Sequence, residues 1–369
     1  MLLVGDLAMH SSLRPSRRVT LALLGSLSVR PSLAAAASLH DTACYLAGLP
    51  VTAGSPLETL TQEPIWRTHA QTLNVAWARL EAEQLAKVRV WSSTHVKSPN
   101  RTLLYMFSGP DYLYARAFYP HAQTYVLAGL EPSGAVPDVS GMNAGSRQRA
   151  LENLLVSLKT ILRGSYFITS DMQKDLQGQG LPGVAPVLLV FLARSGMKVR
   201  SFNYVRLGSD GVAEEVATAP AQRPSGLKIT FYDSEASTER VLYYFNVDLA
   251  NAGLSQSFVK FLEAQGPSDS FFKSASYLVH GANFSQIRNV ILARSQRIIQ
   301  DDTGVRIDDY NKNEWTIRPF GRYSKPIPVF ESMYQPSMAR FFTEQKPEPL
   351  NFRFGYYTDS SSILLATRK

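Results

Sequence analysis

One cysteine, Cys44, stands in 369 residues, so no disulfide can form within the chain. A protein of this length has core enough to fold without one. No apolar run reaches the roughly 18–20 residues of a membrane span. Charged residues make up only 18%, and Lys and Arg are interleaved with acids throughout. The formal charge of +8 therefore gives no local footprint for nucleic acid. The six histidines do not pair at metal-ligand spacing, so no zinc site is visible. What is present is 45% hydrophobic and 11% aromatic, which suits a folded chain with a large, strand-rich core.

The N-terminus has the order of a cleaved export signal. Arg14, Arg17 and Arg18 precede the uncharged stretch Val19 to Val29, and Ala34 to Ala37 supply small residues for a peptidase. Ser16-Arg17-Arg18 also has a twin-arginine character, so the Sec and twin-arginine routes stay open. Cleavage after Ala37 removes four arginines and Asp6 and lowers the net charge from +8 to +5. The expected location is periplasmic or extracellular. Cys44 is read as a small apolar residue on a helix over Asp41 to Leu49, because Asp41-Thr42-Ala43 is a poor lipoprotein signal.

Two short stretches share offsets. Tyr105, Gly109, Tyr112 and Arg116 are spaced like Tyr277, Gly281, Phe284 and Arg288. Each lies in an apolar run, a glycine turn, an amphipathic stretch and a second apolar run, which predicts two related strand–helix–strand units. The first unit is a strand over 102–107, a helix over 111–118 and a strand over 124–130. The second is a strand over 275–280, a helix over 284–294 and a strand over 296–300. Further helices are expected over 65–92, 146–162, 187–194, 257–265 and 333–343, and strands over 199–207, 314–319, 351–357 and 362–367. The strands 228–232 and 240–247 flank a polar turn and read as a hairpin. The alternation predicts a layered α/β fold with a Rossmann-like, largely parallel sheet and one antiparallel hairpin. The expected organisation is a signal over 1–37, an N-terminal half over 38–207, a linker or exposed loop over 208–226, and a C-terminal half over 227–369.

Phe107-Ser108-Gly109-Pro110-Asp111, Gly129-Leu130-Glu131-Pro132 and Phe352-Arg353-Phe354-Gly355-Tyr356 resemble an uncharacterised family of exported bacterial proteins. The resemblance covers most of the mature chain and implies export and fold only, because that family has no assigned activity.

Candidate chemistry gathers at the Gly109 turn. Glu131 falls 22 residues beyond Gly109, where a Rossmann fold places its ribose-binding acid. The turn has one glycine where the dinucleotide fingerprint has three, and Asp111 opposes phosphate, so no cofactor is expected. Ser108, Asp111, Glu131 and His280 form a candidate hydrolytic set if the two units face each other, although no Gly-x-Ser-x-Gly elbow exists. The loop 131–145 follows a strand end and is expected to border the main pocket. Asp302-Thr303-Gly304 matches an aspartic-protease loop in one copy only, and ordinary turn chemistry explains it as well. Asp309, Asn311 and Asn313 have the 1,3,5 oxygen spacing of a calcium loop, but Glu314 stands where that loop needs glycine. Asn100-Arg101-Thr102 and Asn283-Phe284-Ser285 match glycosylation acceptors and carry no weight. The sequence reads most readily as a non-catalytic binding or accessory protein of the cell envelope with no named partner. A hydrolase at the Gly109 turn is the alternative.

Overall fold

The computed structural model describes residues 37–164, 181, 183–233, 238–356 and 361–369. The leader expected over 1–37 lies outside these residues except for Ala37, which packs against the core. Residues 165–180 and 182 also lie outside them. The described residues form one compact unit.

Ten strands form one mixed sheet: β1 (Thr102–Tyr105), β2 (Thr124–Gly129), β3 (Met197–Leu207), β4 (Ala213–Val216), β5 (Ser225–Asp233), β6 (Glu239–Asn246), β7 (Ser268–Phe272), β8 (Ser295–Gln300), β9 (Trp315–Gly321) and β10 (Ser362–Arg368). Their order is β4-β3-β5-β6-β2-β1-β7-β8-β10-β9. The inner block β6-β2-β1-β7-β8 is parallel. On one side β3, β4 and β5 add antiparallel strands, and on the other β10 and β9 do the same. The expectation of a largely parallel sheet is corrected: five of the nine pairings are antiparallel.

Among the described residues nine α-helices flank the strands: α1 (Leu39–Leu46), α2 (Pro64–Leu80), α3 (Ala86–His95), α4 (Tyr112–Phe118), α5 (Ala144–Gly164), α6 (Ala185–Arg194), α7 (Gln256–Ala264), α8 (Ser285–Arg294) and α9 (Pro336–Gln345). A π-helical turn, Glu81–Leu85, joins α2 to α3. The helix starts follow local chemistry. Ser38, Asp111 and Ser255 accept hydrogen bonds from the backbone N–H groups of Asp41, Tyr114 and Phe258. The apolar run of α6 is buried along its whole length up to Ala193, and Gly196 follows its C-terminus at φ +76°.

Strand β1 is buried throughout, as a strand covered on both faces must be. Leu103 and Tyr105 join the core cluster that holds α1, α4 and α6, whereas Leu104 joins the cluster that holds α7 and α8. A smaller cluster of Tyr323, Met338, Phe342 and Leu364 lies under α9.

Three sequence expectations shift. The seventh strand is 268–272, not 275–280, because its buried residues include Ser268, Asp269 and Ser270 and no apolar run marks it. Asp269 is paired with Arg297 at 2.8 Å and receives Asn100 Nδ2 at 2.7 Å, and the Ser270 and Ser295 hydroxyls meet at 2.6 Å. The segment 208–226 contains β4 and leads directly into β5. Residues 351–356 hold no strand.

The paired offsets do not superpose. Tyr105 ends β1, but Tyr277 is a left-handed residue at φ +57° in the connection after β7. Gly109 has φ +52° and Gly281 has φ −72°. Each stretch does fall in a strand–helix–strand succession, β1–α4–β2 and β7–α8–β8, but β7 ends before Tyr277.

Candidate functional site at the carboxyl edge of the parallel block

The parallel strands all end at one edge. Chain direction fixes this, and it brings the segments after β1, β2, β6 and β7 together. They enclose a crevice of about 130 Å³, open to solvent on one side. Phe107 and Gly109 come from the end of β1, Gly129 to Glu131 from β2, Val247 to Leu249 from β6, and Ser274 to Ser276 from β7. Leu278 and Phe284 complete the wall. The chain runs from β1 to β2 on one side, while β7 lies on the other side of β1. Such a reversal is where open α/β sheets leave a crevice for ligands.

Two glycines shape the floor. A Cβ on Gly129 would collide with Glu131 Oε2 and stand 3.1 Å from Gly109 Cα. Gly109 also occupies a left-handed conformation, which costs glycine nothing. Glu131 fits against this floor and is only 2% exposed. The Tyr244 hydroxyl meets its Oε2 at 3.1 Å and its backbone oxygen at 2.9 Å. Asn246 Nδ2 donates to the Leu130 and Glu131 carbonyls at 3.0 and 2.7 Å. The acid is therefore held by β6 as well as by its own strand.

The walls carry acceptors and apolar surface. Asp248 follows β6, the strand beside β2, and its Oδ1 accepts from Ala250 N at 2.9 Å. Ser274 adds a hydroxyl, while the Ser276 hydroxyl meets that of Tyr356 at 2.9 Å. No Lys, Arg or His lines the crevice among the described residues. Ser274 Oγ is buried without a hydrogen-bond partner among the described residues, and so is Asn246 Oδ1 at the base of the β6 wall. Buried polar atoms are seldom left so, and each calls for an explanation.

Backbone strain collects here too. Six non-glycine residues among those described have left-handed φ. Phe107, Ser274 and Ser276 line the crevice, and Tyr277 follows them. Each such conformation costs about 1–2 kcal/mol for an L-residue.

Of the candidate catalytic and metal-binding residues read from the sequence, Glu131 alone lines the crevice, beside Gly109 of the turn. Ser108 Oγ donates to the Gly109 carbonyl at 2.8 Å and accepts from Ala128 N at 3.2 Å, a bond that ties β1 to β2. Asp111 is a buried anchor: it caps α4, accepts from Tyr105 Oη at 3.0 Å and pairs with Lys273 Nζ at 2.7 Å. The Lys273 ammonium also lies 4.0 Å from the centre of the Tyr114 ring. His280 stands edge-on to Tyr277, and burial pushes its pKa down to about 4. The four side chains do not meet in one cavity. Beyond Glu131, the loop 131–145 turns away, and its Ser133 carbonyl accepts from Ala185 N at the start of α6.

The calcium-like spacing is occupied by other partners. The Asp309 carboxylate receives Arg306 at 2.7 and 3.1 Å and lies 3.7 Å from Arg288. Asn311 Oδ1 accepts from Asn313 N, closing a local turn. Among the described residues, no group of three or more His, Cys, Asp or Glu side chains is placed to hold a metal ion. Asp301 and Asp302 sit behind the β7 wall. Asp301 accepts from Ser274 N at 2.8 Å, and the Tyr277 hydroxyl donates to Asp302. Burial first, and the neighbouring Asp301 second, push the Asp302 pKa up to about 7.

Sequence reasoning missed Asp248, Ser274 and Asn246. An acid directly after the strand 240–247 was a usable signal for Asp248; nothing local distinguished Ser274. No helix among the described residues is long and apolar enough to cross a membrane. No protein-family model, curated protein or solved structure matches this chain.

Proposed function

We propose that this protein binds a small molecule in the carboxyl-edge crevice and performs no nucleophilic chemistry there. The observation that carries this reading is the concentration of left-handed, non-glycine backbone in the crevice lining, at Phe107, Ser274 and Ser276, with Tyr277 next in the chain. Strain of this kind persists where surrounding structure enforces it, and it clusters at ligand sites. The unpartnered Ser274 hydroxyl supports the same reading. The engagement of Ser108 and Asp111 in backbone and ion-pair contacts favours binding over hydrolysis.

Numbered within the parallel block alone, the strand order is 3-2-1-4-5, which supports a Rossmann-like reading of that block. Export remains part of the proposal, and the mass of the mature N-terminus tests it.

A crevice of about 130 Å³ has room for about one ring, since an apolar cavity of similar size accepts benzene. Ligand-observed NMR with single-ring fragments tests the site. Fragments are expected to bind the native protein and to lose binding in Ala275→Phe, which fills the crevice. Binding that survives in a folded Ala275→Phe variant would overturn the proposal.

A further inference from the structure

We infer that a second cavity, set between helices, binds an organic monocarboxylate with an apolar body. This cavity measures about 340 Å³, is open to solvent, and shares no lining residue with the carboxyl-edge crevice. It lies where α2, the π-helical turn, α3, α4 and α6 meet, and each of them contributes to its wall.

The first argument is charge. Arg89, Arg116 and Arg194 all line the cavity. Arg89 pairs with Glu81. Arg116 donates to the Pro120 carbonyl and lies 3.6 Å from Asp233. Arg194 has neither an acid nor a hydrogen bond among the described residues, and its Nε and Nη2 are buried without a partner. Two acids answer three guanidinium groups, so one positive charge is left over. Burial pulls the Arg194 pKa down to about 10, which still leaves it charged at neutral pH. A buried cation is costly without a counter-charge. The Trp77 ring, 5.8 Å from the guanidinium carbon, and the carbonyl end of α6 offset only part of that cost. A carboxylate supplies the missing charge, and its two oxygens suit a guanidinium. A second negative charge would meet Glu81 on the same wall.

The second argument is local backbone. Glu81 and Leu85 are the first and last residues of the π-helical turn, and both line the cavity. Single π-helical turns inside long helices occur frequently at functional sites. The third argument is the rest of the wall. Trp77, Leu85, Leu113, Ala117 and Pro120 offer apolar surface to the body of a ligand whose carboxylate meets Arg194.

Ligand-observed NMR titration of the full chain with octanoate, octanamide and octyl phosphate at pH 8 tests this. Octanoate is expected to bind, and its neutral isostere octanamide to bind at least tenfold more weakly. Octyl phosphate, a dianion at that pH, should bind no more tightly than octanoate. Arg194→Gln should weaken octanoate at least tenfold. Ala275→Phe, which fills the other crevice, should leave octanoate binding unchanged. The ligand series keeps the test decisive if Arg194→Gln fails to fold. Octanamide binding as tightly as octanoate would overturn the inference, as would an unchanged affinity in a folded Arg194→Gln variant. Tighter binding of octyl phosphate would overturn the choice of a monoanion. Loss of octanoate binding in a folded Ala275→Phe variant would place the ligand in the crevice and overturn the second site. Failure of octanoate to bind at all would overturn it too and leave the crevice reading standing.

Discussion

The turn after β1 and the connection after β7 share residue spacing and little else. The first is short. Gly109 takes the left-handed conformation at no cost, and Asp111 caps α4 while it neutralises Lys273. The second is longer, passes through two 3₁₀ turns, and places Ser274, Ser276 and Tyr277 in left-handed conformations that glycine would adopt more readily. Its own glycine, Gly281, has an ordinary φ of −72°. Both connections line the crevice, but the first has one left-handed non-glycine residue, Phe107, and the second has three. The first also carries the buried Asp111–Lys273 pair, so the two ask for different responses to substitution.

The largest effect is expected at the turn after β1. Asp111→Ala removes the cap of α4 and takes a carboxylate partner from the buried Lys273 ammonium. Losing one partner of a buried pair costs about 3–5 kcal/mol, which denaturant unfolding would read as a large drop in midpoint. A loss below about 1 kcal/mol would mean that Lys273 finds water or another acid, and that Asp111 is not the anchor of this turn.

The glycines sharpen the contrast. Gly109→Ala is expected to cost about 1–2 kcal/mol because φ is +52°. Gly281→Ala should stay within about 0.5 kcal/mol of the native protein, since its Cβ would meet nothing closer than 3.5 Å. Equal effects at the two sites would restore the sequence-level likeness and remove the structural difference.

Most of this architecture is legible in the sequence, and its failures have physical causes. The hairpin of β5 and β6 and the helices α5, α6 and α7 follow from alternation, helical spacing and glycine or serine caps. Strand β7 escapes because a central parallel strand normally reads as an apolar run, and here Ser268, Asp269 and Ser270 are buried instead, paired with Asn100, Arg297 and Ser295. The apolar residues just after it, Tyr277 to Val279, give the strand signal in the wrong place. Glu131 could be found because an acid at a strand end has a positional meaning. Ser274 could not, since its importance lies in a φ angle and an unmade hydrogen bond.

A smaller, pH-dependent effect should appear behind the strained wall. With its pKa raised to about 7 in the folded state, against an ordinary value of 3.8, Asp302 holds its proton in the fold at pH values where the unfolded chain has lost it. The folded form then binds more protons, so this group's contribution to stability is present below the ordinary carboxylate range and is lost as pH rises toward 7. The slope is at most about 1.4 kcal/mol per pH unit for one group. Asp302→Asn, which keeps an acceptor for Tyr277, is expected to flatten the fall in unfolding midpoint between pH 5 and pH 7. An unchanged profile would show that Asp302 ionises normally.

The claim that strain on the β7 side is kept for ligand binding is tested most directly by Ser274→Gly, measured twice: unfolding midpoint and affinity for the single-ring fragments. The substitution relieves a left-handed φ of +54° and removes a buried hydroxyl without a partner. The account predicts a rise in stability of about 1 kcal/mol together with at least a tenfold loss of fragment affinity. A variant that is no more stable than the native protein, or that binds the fragments equally well, would contradict it.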